Sequence, residues 1–263
     1  SVTVKFKVKN PEKIGLAGDV FLLAWTTTPW TLPGNVALAV GDDIDYVVIK
    51  NDGVSIIVAK ERAEVNGLPL IVVQDIKGSA LVGLSDESLF IVPSVTEQKK
   101  ENTFKVLSAN FVTTEEGTGI VHTAVIYGED DYQLGLASDL PMVPLLDQSG
   151  NFNSDAPEFI RGQYFKKAER AIKEDLETRG LLFEKKMYTH SYPHCHRCGT
   201  ALIYNALVSW FINIQKVKDR MLETNESINW VPKHLKEGRY KNIVENAPDW
   251  TISRNRFWAS PLP

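Results

Sequence analysis

Cysteine occurs only at positions 195 and 198 of the 263 residues. Two thiols in so long a chain exclude a disulfide-stapled scaffold and suit a reducing compartment, so a cytoplasmic protein is expected. No apolar run is long enough to span a bilayer, and no secretory leader is evident, which makes the sequon-like Asn225-Glu226-Ser227 a chance match. Positive charge is not in excess: 29 Lys and Arg stand against 33 Asp and Glu, with a net charge of −4 and a pI near 5.8. Holding nucleic acid by bulk electrostatics needs a surplus of phosphate-neutralising cations, so that mode is excluded while a local basic face is not. Internal repeats and low-complexity tracts are lacking too. An initiator methionine is missing before Ser1, and Val2, Val4, Phe6 and Val8 alternate with polar residues from the outset. The chain is therefore expected to be an excised piece of something longer.

Several catalytic signatures are absent. Gly117 and Gly119 would open a dinucleotide-binding loop only with a third glycine at position 122, where His122 stands. No phosphate-cradling loop ending in Lys-Ser or Lys-Thr is found, and no serine is flanked as Gly-x-Ser-x-Gly. A threonine with His122 as its base is the remaining covalent route, and a threonine hydroxyl is weakly activated without a dedicated arrangement.

What is present is enough to bury a core: 43% of residues are hydrophobic, and the length fits one large domain or one domain with an appendage. From Val2 to Val95 short β runs alternate with turn residues, at Phe21 to Trp25, Val36 to Val40, Tyr46 to Ile49, Ser55 to Ala59, Leu70 to Val73 and Phe90 to Val92. Asn51-Asp52-Gly53 predicts a hairpin, because Asp-Gly supplies the positive φ angles of a tight turn. Phe104 to Ala109 and Gly119 to Ala124 continue the β pattern, and Lys60 to Val65 reads as a short helix. Tyr164 to Arg179 is the clearest helix, with Phe165, Ala168, Ala171, Ile172 and Leu176 on one face and Gly180 at its C-terminal stop. The fold class expected is α+β: a strand-rich, barrel-like or sandwich domain with flanking helices over residues 1–185. A mostly helical and irregular extension follows over residues 186–263, with helices around Ile214 to Glu223 and His234 to Asn246.

In that extension Cys195-His196-Arg197-Cys198 has the spacing of two zinc ligands, half of a closed four-ligand site. Its complement would be His190 or His194, or residues outside this sequence; an ordinary turn with reduced thiols is the alternative. Basic groups at Lys166-Lys167-Arg170, Lys185-Lys186 and Lys233 to Lys241 read as solvated helix faces, some of which would suffice for phosphate contacts.

The most informative stretch is Trp25-Thr26-Thr27-Thr28-Pro29-Trp30-Thr31-Leu32-Pro33-Gly34-Asn35. Its three adjacent threonines, closed off by prolines that donate no N–H, make a poor interior for a helix or a central strand. Threonines with few rotamers, with Pro29 biasing Thr28 toward an extended backbone, make it a good rigid rim whose hydroxyls can point at a ligand, with a solvated turn after the strand Phe21 to Trp25 as the alternative. Far along the chain, Gly117-Thr118-Gly119-Ile120-Val121-His122 reads as a buried strand ending in a histidine. Gly128 then opens an acidic first turn, Glu129-Asp130-Asp131, of a helix carrying Tyr132, Leu134, Leu136 and Ala137. Carboxylates there complement the helix dipole, and an ionised one can also receive an ammonium group. Trp25, Trp30, Tyr127 and Tyr132 are candidates to stack on a base, against the commoner fate of core packing.

These runs, "AWTTTPWTLPGN" and "GTGIVHTAVIYGEDDYQLG", closely resemble the editing (connective peptide 1) domain of isoleucyl-tRNA synthetases, which hydrolyses valine wrongly attached to the isoleucine tRNA. The stretches "SYPHCHRCGTALIY" and "DWTISRNRFW" favour that family over its valyl and leucyl counterparts. By resemblance, Thr26, Thr27, Thr28 and Thr31 hold the terminal ribose and ester carbonyl, and His122 walls the side-chain pocket. Asp131 pairs with the α-ammonium, Asn35 lies near the site, and Trp25, Thr123 and Ala124 line it. The resemblance implies no cofactor for editing, a structural zinc only in the full-length protein, and ATP used only by an absent catalytic core. The activation signatures His-Ile-Gly-His and Lys-Met-Ser-Lys-Ser are missing here. The implied partners are the tRNA 3′ end carrying valine and the rest of the same synthetase chain; a monomer is expected and no membrane. Two departures stand out. Val125-Ile126-Tyr127-Gly128 replaces the Pro-Gly-His-Gly of many bacterial members, which puts a second histidine's role in doubt, and Ala259 stands where glycine is more usual. A valyl- or leucyl-type editing domain, and a tRNA-end binding module without hydrolysis, are the competing readings.

Overall fold

The computed structural model describes residues 1–68, 71–205 and 208–253. The chain divides into two compact units, Ser1–Ala206 and Leu207–Pro263. In the first unit nine strands are formed: β1 (Val2–Lys7), β2 (Val20–Thr26), β3 (Ala37–Val40), β4 (Asp45–Asn51), β5 (Val54–Ala59), β6 (Val72–Lys77), β7 (Val106–Ser108), β8 (Ile120–Thr123) and β9 (Leu182–Lys185). Six of them make one mixed sheet in the order β6-β4-β5-β2-β1-β9, in which β2 and β5 run parallel and the other pairs antiparallel. The other three make a small sheet, β7-β3-β8. The barrel expected from the strand density is not formed among the described residues. Closure requires the edge strands to pair, whereas β6 and β9 end the large sheet, and Val72 and Val73 on β6 face solvent.

The strand sequences explain which faces are covered. Tyr46-Val47-Val48-Ile49 and Ser55-Ile56-Ile57-Val58 do not alternate, because both faces of β4 and β5 are buried. Tyr46, Val48 and Ile57 join the main core with Phe6 and Leu22, while Val47, Ile49, Ile56 and Val58 pack with Leu23 and Ala63 in a second cluster. The hairpin between β4 and β5 turns at Asp52 (φ 48°) and Gly53 (φ 83°), as Asn-Asp-Gly predicts. An alanine at Gly53 would meet no atom but would keep the left-handed backbone, so Gly53→Ala should cost about 1 kcal/mol, read from urea unfolding.

Helix Phe165–Thr178 buries Phe165, Ala168, Ile172 and Leu176, the face expected, and Gly180 (φ 67°) follows its end. Helix Glu129–Ala137 also lies where helical spacing placed it. Two expectations fail locally. Phe90 to Val92 is not a strand: Pro93 starts helix Pro93–Glu97, and although Phe90 and Val92 are buried around an exposed Ile91, no strand pairs with them. Lys60 to Val65 is helical only as a 3-10 turn, Lys60–Arg62. Leu70, at the start of another expected strand, lies outside the described residues.

Residues 186–205 belong to the first compact unit, although the expected boundary fell at 185/186. The Ser1 ammonium donates to the Lys186 carbonyl (2.9 Å), the Tyr188 ring meets Trp25 edge-on at 5.3 Å, and the Lys166 ammonium sits 4.3 Å over the Tyr192 ring. In the second unit β10 (Phe211–Ile212) pairs with β11 (Trp250–Thr251), and helices Gln215–Ser227 and Lys241–Glu245 fall where sequence spacing put them. The tail from Arg254 to Pro263, with Ala259, lies outside the described residues.

Candidate active site

Strand β2 delivers Thr26, and the chain then tightens into a 3-10 turn, Pro29–Gly34, before β3. Proline at the first position and Pro33 within the turn hold it, and Trp30, Thr31 and Leu32 are buried beneath. The hydroxyls form a connected line. Thr28 N donates to Thr26 Oγ1 (3.0 Å), the Thr26 and Thr28 hydroxyls are 3.2 Å apart, and those of Thr28 and Thr31 are 3.5 Å apart. Thr31 Oγ1 donates to the Thr28 carbonyl at 2.9 Å and lies 3.1 Å from His122 Nε2. Thr27 is half-buried and stands outside this line.

His122 reaches that position because β8 pairs antiparallel with β3, setting His122 opposite Leu38. It is 6% exposed, and burial pushes its imidazole down to about 4, so it is neutral at physiological pH. Beyond β8, Val125–Tyr127 makes one turn and Gly128 starts the acidic helix. Asp131 Oδ2 accepts a 3.4 Å hydrogen bond from Ala124 N, two residues past His122. Asp131 is half-buried; desolvation pushes its carboxyl up to about 6, against the Ala124 amide, which acts in the opposite direction. The threonine turn and the acidic helix are thus tied to the two ends of one short segment, residues 122–131. Tyr127 strengthens that tie, meeting Trp30 edge-on at 5.0 Å and accepting from Leu145 N at 2.8 Å.

Several buried polar atoms in this region have no protein partner: both amide atoms of Asn35, the Thr123 hydroxyl, His122 Nδ1 and Trp30 Nε1. Protein interiors pair nearly all such groups, so these five atoms are open to a partner from outside the protein. Asn35 and Thr123 are neighbours through the hydrogen bond from Val36 N to the Thr123 carbonyl (2.9 Å). A fully buried acid that sequence reading missed, Asp86, has neither oxygen bonded, and burial pushes it up to about 7. No local pattern in Leu84-Ser85-Asp86-Glu87 announces its burial.

Two hollows border Trp25. One of about 270 Å³ is lined by Arg62, Asn66, Glu116, Gly117 and Tyr188 among others; another of about 170 Å³ takes in Phe111 and Gly117 to Val121. Neither is lined by Thr26, His122 or Asp131. Both hollows touch Trp25, which immediately precedes Thr26. Trp30 and Tyr127 are not available to stack on a base. Trp30 is 4% exposed and wedged between Tyr127 and Phe165, and both rings belong to the core; Trp25 and Tyr132 are half-buried.

The cysteine knuckle is a tight hairpin: Cys195 N donates to the Thr200 carbonyl and Gly199 N to the Cys195 carbonyl, each at 2.8 Å. No group of three or more His, Cys, Asp and Glu able to hold a metal is found among the described residues. The expectation that His190 or His194 completes the site is therefore not met; their Nδ1 atoms lie 3.0 Å and 2.9 Å from the Ser191 and Tyr192 carbonyls. Two thiols do not fit a closed tetrahedral zinc.

No helix among the described residues is long and apolar enough to cross a membrane. In fold the chain resembles a crystal structure described as GlLeuRS-CP1, with a TM-score of 0.55 and 17% identity over 72% of this chain and 99% of that one. It also resembles the Plasmodium knowlesi cytosolic leucyl-tRNA synthetase editing domain, at a TM-score of 0.53 and 12% identity over 69% and 94%. In sequence it is 42% identical to the isoleucine–tRNA ligase of Treponema denticola, across all of this chain and 26% of that protein. It is 44% identical to the isoleucine–tRNA ligase of Clostridium tetani, across 99% of this chain and 24% of that protein. The chain thus spans about a quarter of the length of these curated relatives. The family described as tRNA synthetases class I (I, L, M and V) matches residues 8–263, the threonine turn, His122 and Asp131 among them, and the chain belongs to that family.

Proposed function

We propose that this segment is the proofreading domain of an isoleucine-type class I synthetase and hydrolyses the ester of valine wrongly attached to the isoleucine tRNA. The observation that carries the reading is the Thr31–His122 contact, which seats the threonine rim against the same short segment that positions Asp131. The chemistry calls for such a site. A synthetic pocket choosing isoleucine over valine gains only about 1–3 kcal/mol from one methylene, and a second, smaller pocket removes the error.

In this reading Asp131 binds the α-ammonium through a charge-assisted bond and fixes the register of the aminoacyl group. Thr26, Thr27 and Thr28 hold the terminal ribose and the ester carbonyl. His122 bounds the side chain, with Thr123 and Ala124 beside it. His122 is too weak a base to ionise water, so hydrolysis rests on positioning of water, aided by the substrate's own ribose hydroxyl; positioning can supply several kcal/mol. The segment uses no cofactor, and ATP serves only a catalytic core outside it. A structural zinc at Cys195 and Cys198 would need two further ligands from elsewhere in the longer chain. The partners are the valylated tRNA end and the remainder of the synthetase, in a cytoplasmic monomer.

Deacylation of valyl-, isoleucyl- and threonyl-tRNA by the protein tests this. Fast release of valine with isoleucine retained is the expected result. Preferential release of threonine would favour a valyl-type domain, and tight binding of the tRNA end without release of any amino acid would leave a binding module.

A further inference from the structure

Thr31 was expected to touch the substrate, yet its hydroxyl is already committed. It owns one hydrogen, and that hydrogen goes to the Thr28 carbonyl at 2.9 Å. The same oxygen lies 3.1 Å from His122 Nε2, a distance at which two lone pairs would repel. The contact is satisfied only if Nε2 carries a proton and donates it to Thr31 Oγ1. The rest of the rim agrees in direction: Thr28 Oγ1 can donate to Thr31, Thr26 Oγ1 can donate to Thr28, and Thr26 Oγ1 accepts from Thr28 N. Every hydroxyl then gives one hydrogen and none conflicts. With one ring proton on Nε2, the buried Nδ1 keeps a bare lone pair, and it has no protein partner.

We propose that Thr31 is a positioning residue that locks His122 as the Nε2–H tautomer in one orientation, making the imidazole a fixed boundary for the aminoacyl side chain and barring Nε2 from accepting a proton from the threonines. The lock explains how a single buried ring can exclude a side chain one methylene longer, since a ring free to rotate would yield to it. It also closes the covalent route, because the nitrogen nearest the hydroxyls is a donor. The size-filter part rests on the proposed editing function; the tautomer does not.

Nitrogen NMR of protein labelled in its five histidines tests both parts, with the His122 signals assigned by their loss in His122→Gln. In the wild-type protein Nε2 should resonate as a protonated and Nδ1 as an unprotonated nitrogen. Thr31→Ser, which keeps the hydroxyl, should preserve that pattern, and Thr31→Val should replace it with tautomer averaging. In deacylation, Thr31→Val relative to Thr31→Ser should narrow the preference for valyl over isoleucyl ester by about 10-fold, within the range set by one methylene. A proton on Nδ1 in the wild type, or a pattern unmoved by Thr31→Val, overturns the lock. A moved pattern with an unchanged ester preference overturns the boundary. If neither ester is cleaved by any of these proteins, the editing reading fails while the NMR result still decides the lock.

Discussion

Asp131→Ala is expected to slow deacylation of valyl-tRNA by about 10- to 100-fold, the equivalent of the ~1.5–3 kcal/mol of a hydrogen bond to a charged group. Asp131→Asn should lose nearly as much, since an amide keeps the shape and forfeits the charge that attracts an ammonium. The pH profile carries a second sign of the same role. Burial holds the carboxyl near 6 in the free protein, so the anion proposed to bind the ammonium is depleted as pH falls through that value, and the second-order rate should decline with it. Stability should respond in the opposite sense. The folded state takes the Asp131 proton more readily than the unfolded chain, whose carboxyl sits near 3.8, so this group's contribution worsens as pH rises from 3.8 through about 6. Its cost is fully present at neutral pH. Asp131→Asn should therefore raise the thermal midpoint of the unliganded protein at neutral pH while it removes activity. Such an exchange of stability for function is characteristic of a binding site. A variant that deacylates at the wild-type rate would remove the anchor role, whatever its stability.

Gly119→Ala is expected to lower unfolding stability by on the order of 2–5 kcal/mol, a large part of the ~5–15 kcal/mol available to a domain. Two costs add. Gly119 has φ of 74°, left-handed backbone that costs an alanine ~1–2 kcal/mol, and its new methyl would stand 2.4 Å from the Ala59 methyl, adding ~1–3 kcal/mol of overpacking. Neither neighbour can yield easily. The Gly119 carbonyl accepts a 2.6 Å bond from the buried Tyr46 hydroxyl, and Ala59 N donates to the Thr118 carbonyl at 2.9 Å. The urea midpoint should fall with the slope unchanged, and a shift worth under about 1 kcal/mol would show that β8 moves away from β5 at little cost. Because β8 carries His122, the substitution should also weaken deacylation in conditions where the protein is still folded. Gly119 thus serves the close docking of β8 against β5.

Much of this was legible in the text of the chain. Asp52-Gly53 names its own turn, the face of Phe165, Ala168, Ile172 and Leu176 names its own helix, and Pro29 and Pro33 after the three threonines announce the turn that follows β2. Each depends on backbone preferences or side-chain spacing within a few residues, and those operate wherever the segment ends up. The family motifs extended that reach, since they place His122 and Asp131 in one stretch of sequence.

What the sequence alone determined, then, is the α+β class, most element positions, and the cast of candidate residues. Among the described residues, the tertiary structure alone decided that the large sheet stays open, that Trp30 and Tyr127 are spent on the core, and that His190 and His194 do not join Cys195 and Cys198 in a group of three or more ligands. It also decided that Thr31 faces His122 across 91 residues of chain and that burial moves His122 down and Asp131 up. The reason is that hydrogen-bond direction and desolvation belong to the environment that β3 and β8 create by pairing. No window of local sequence contains both strands.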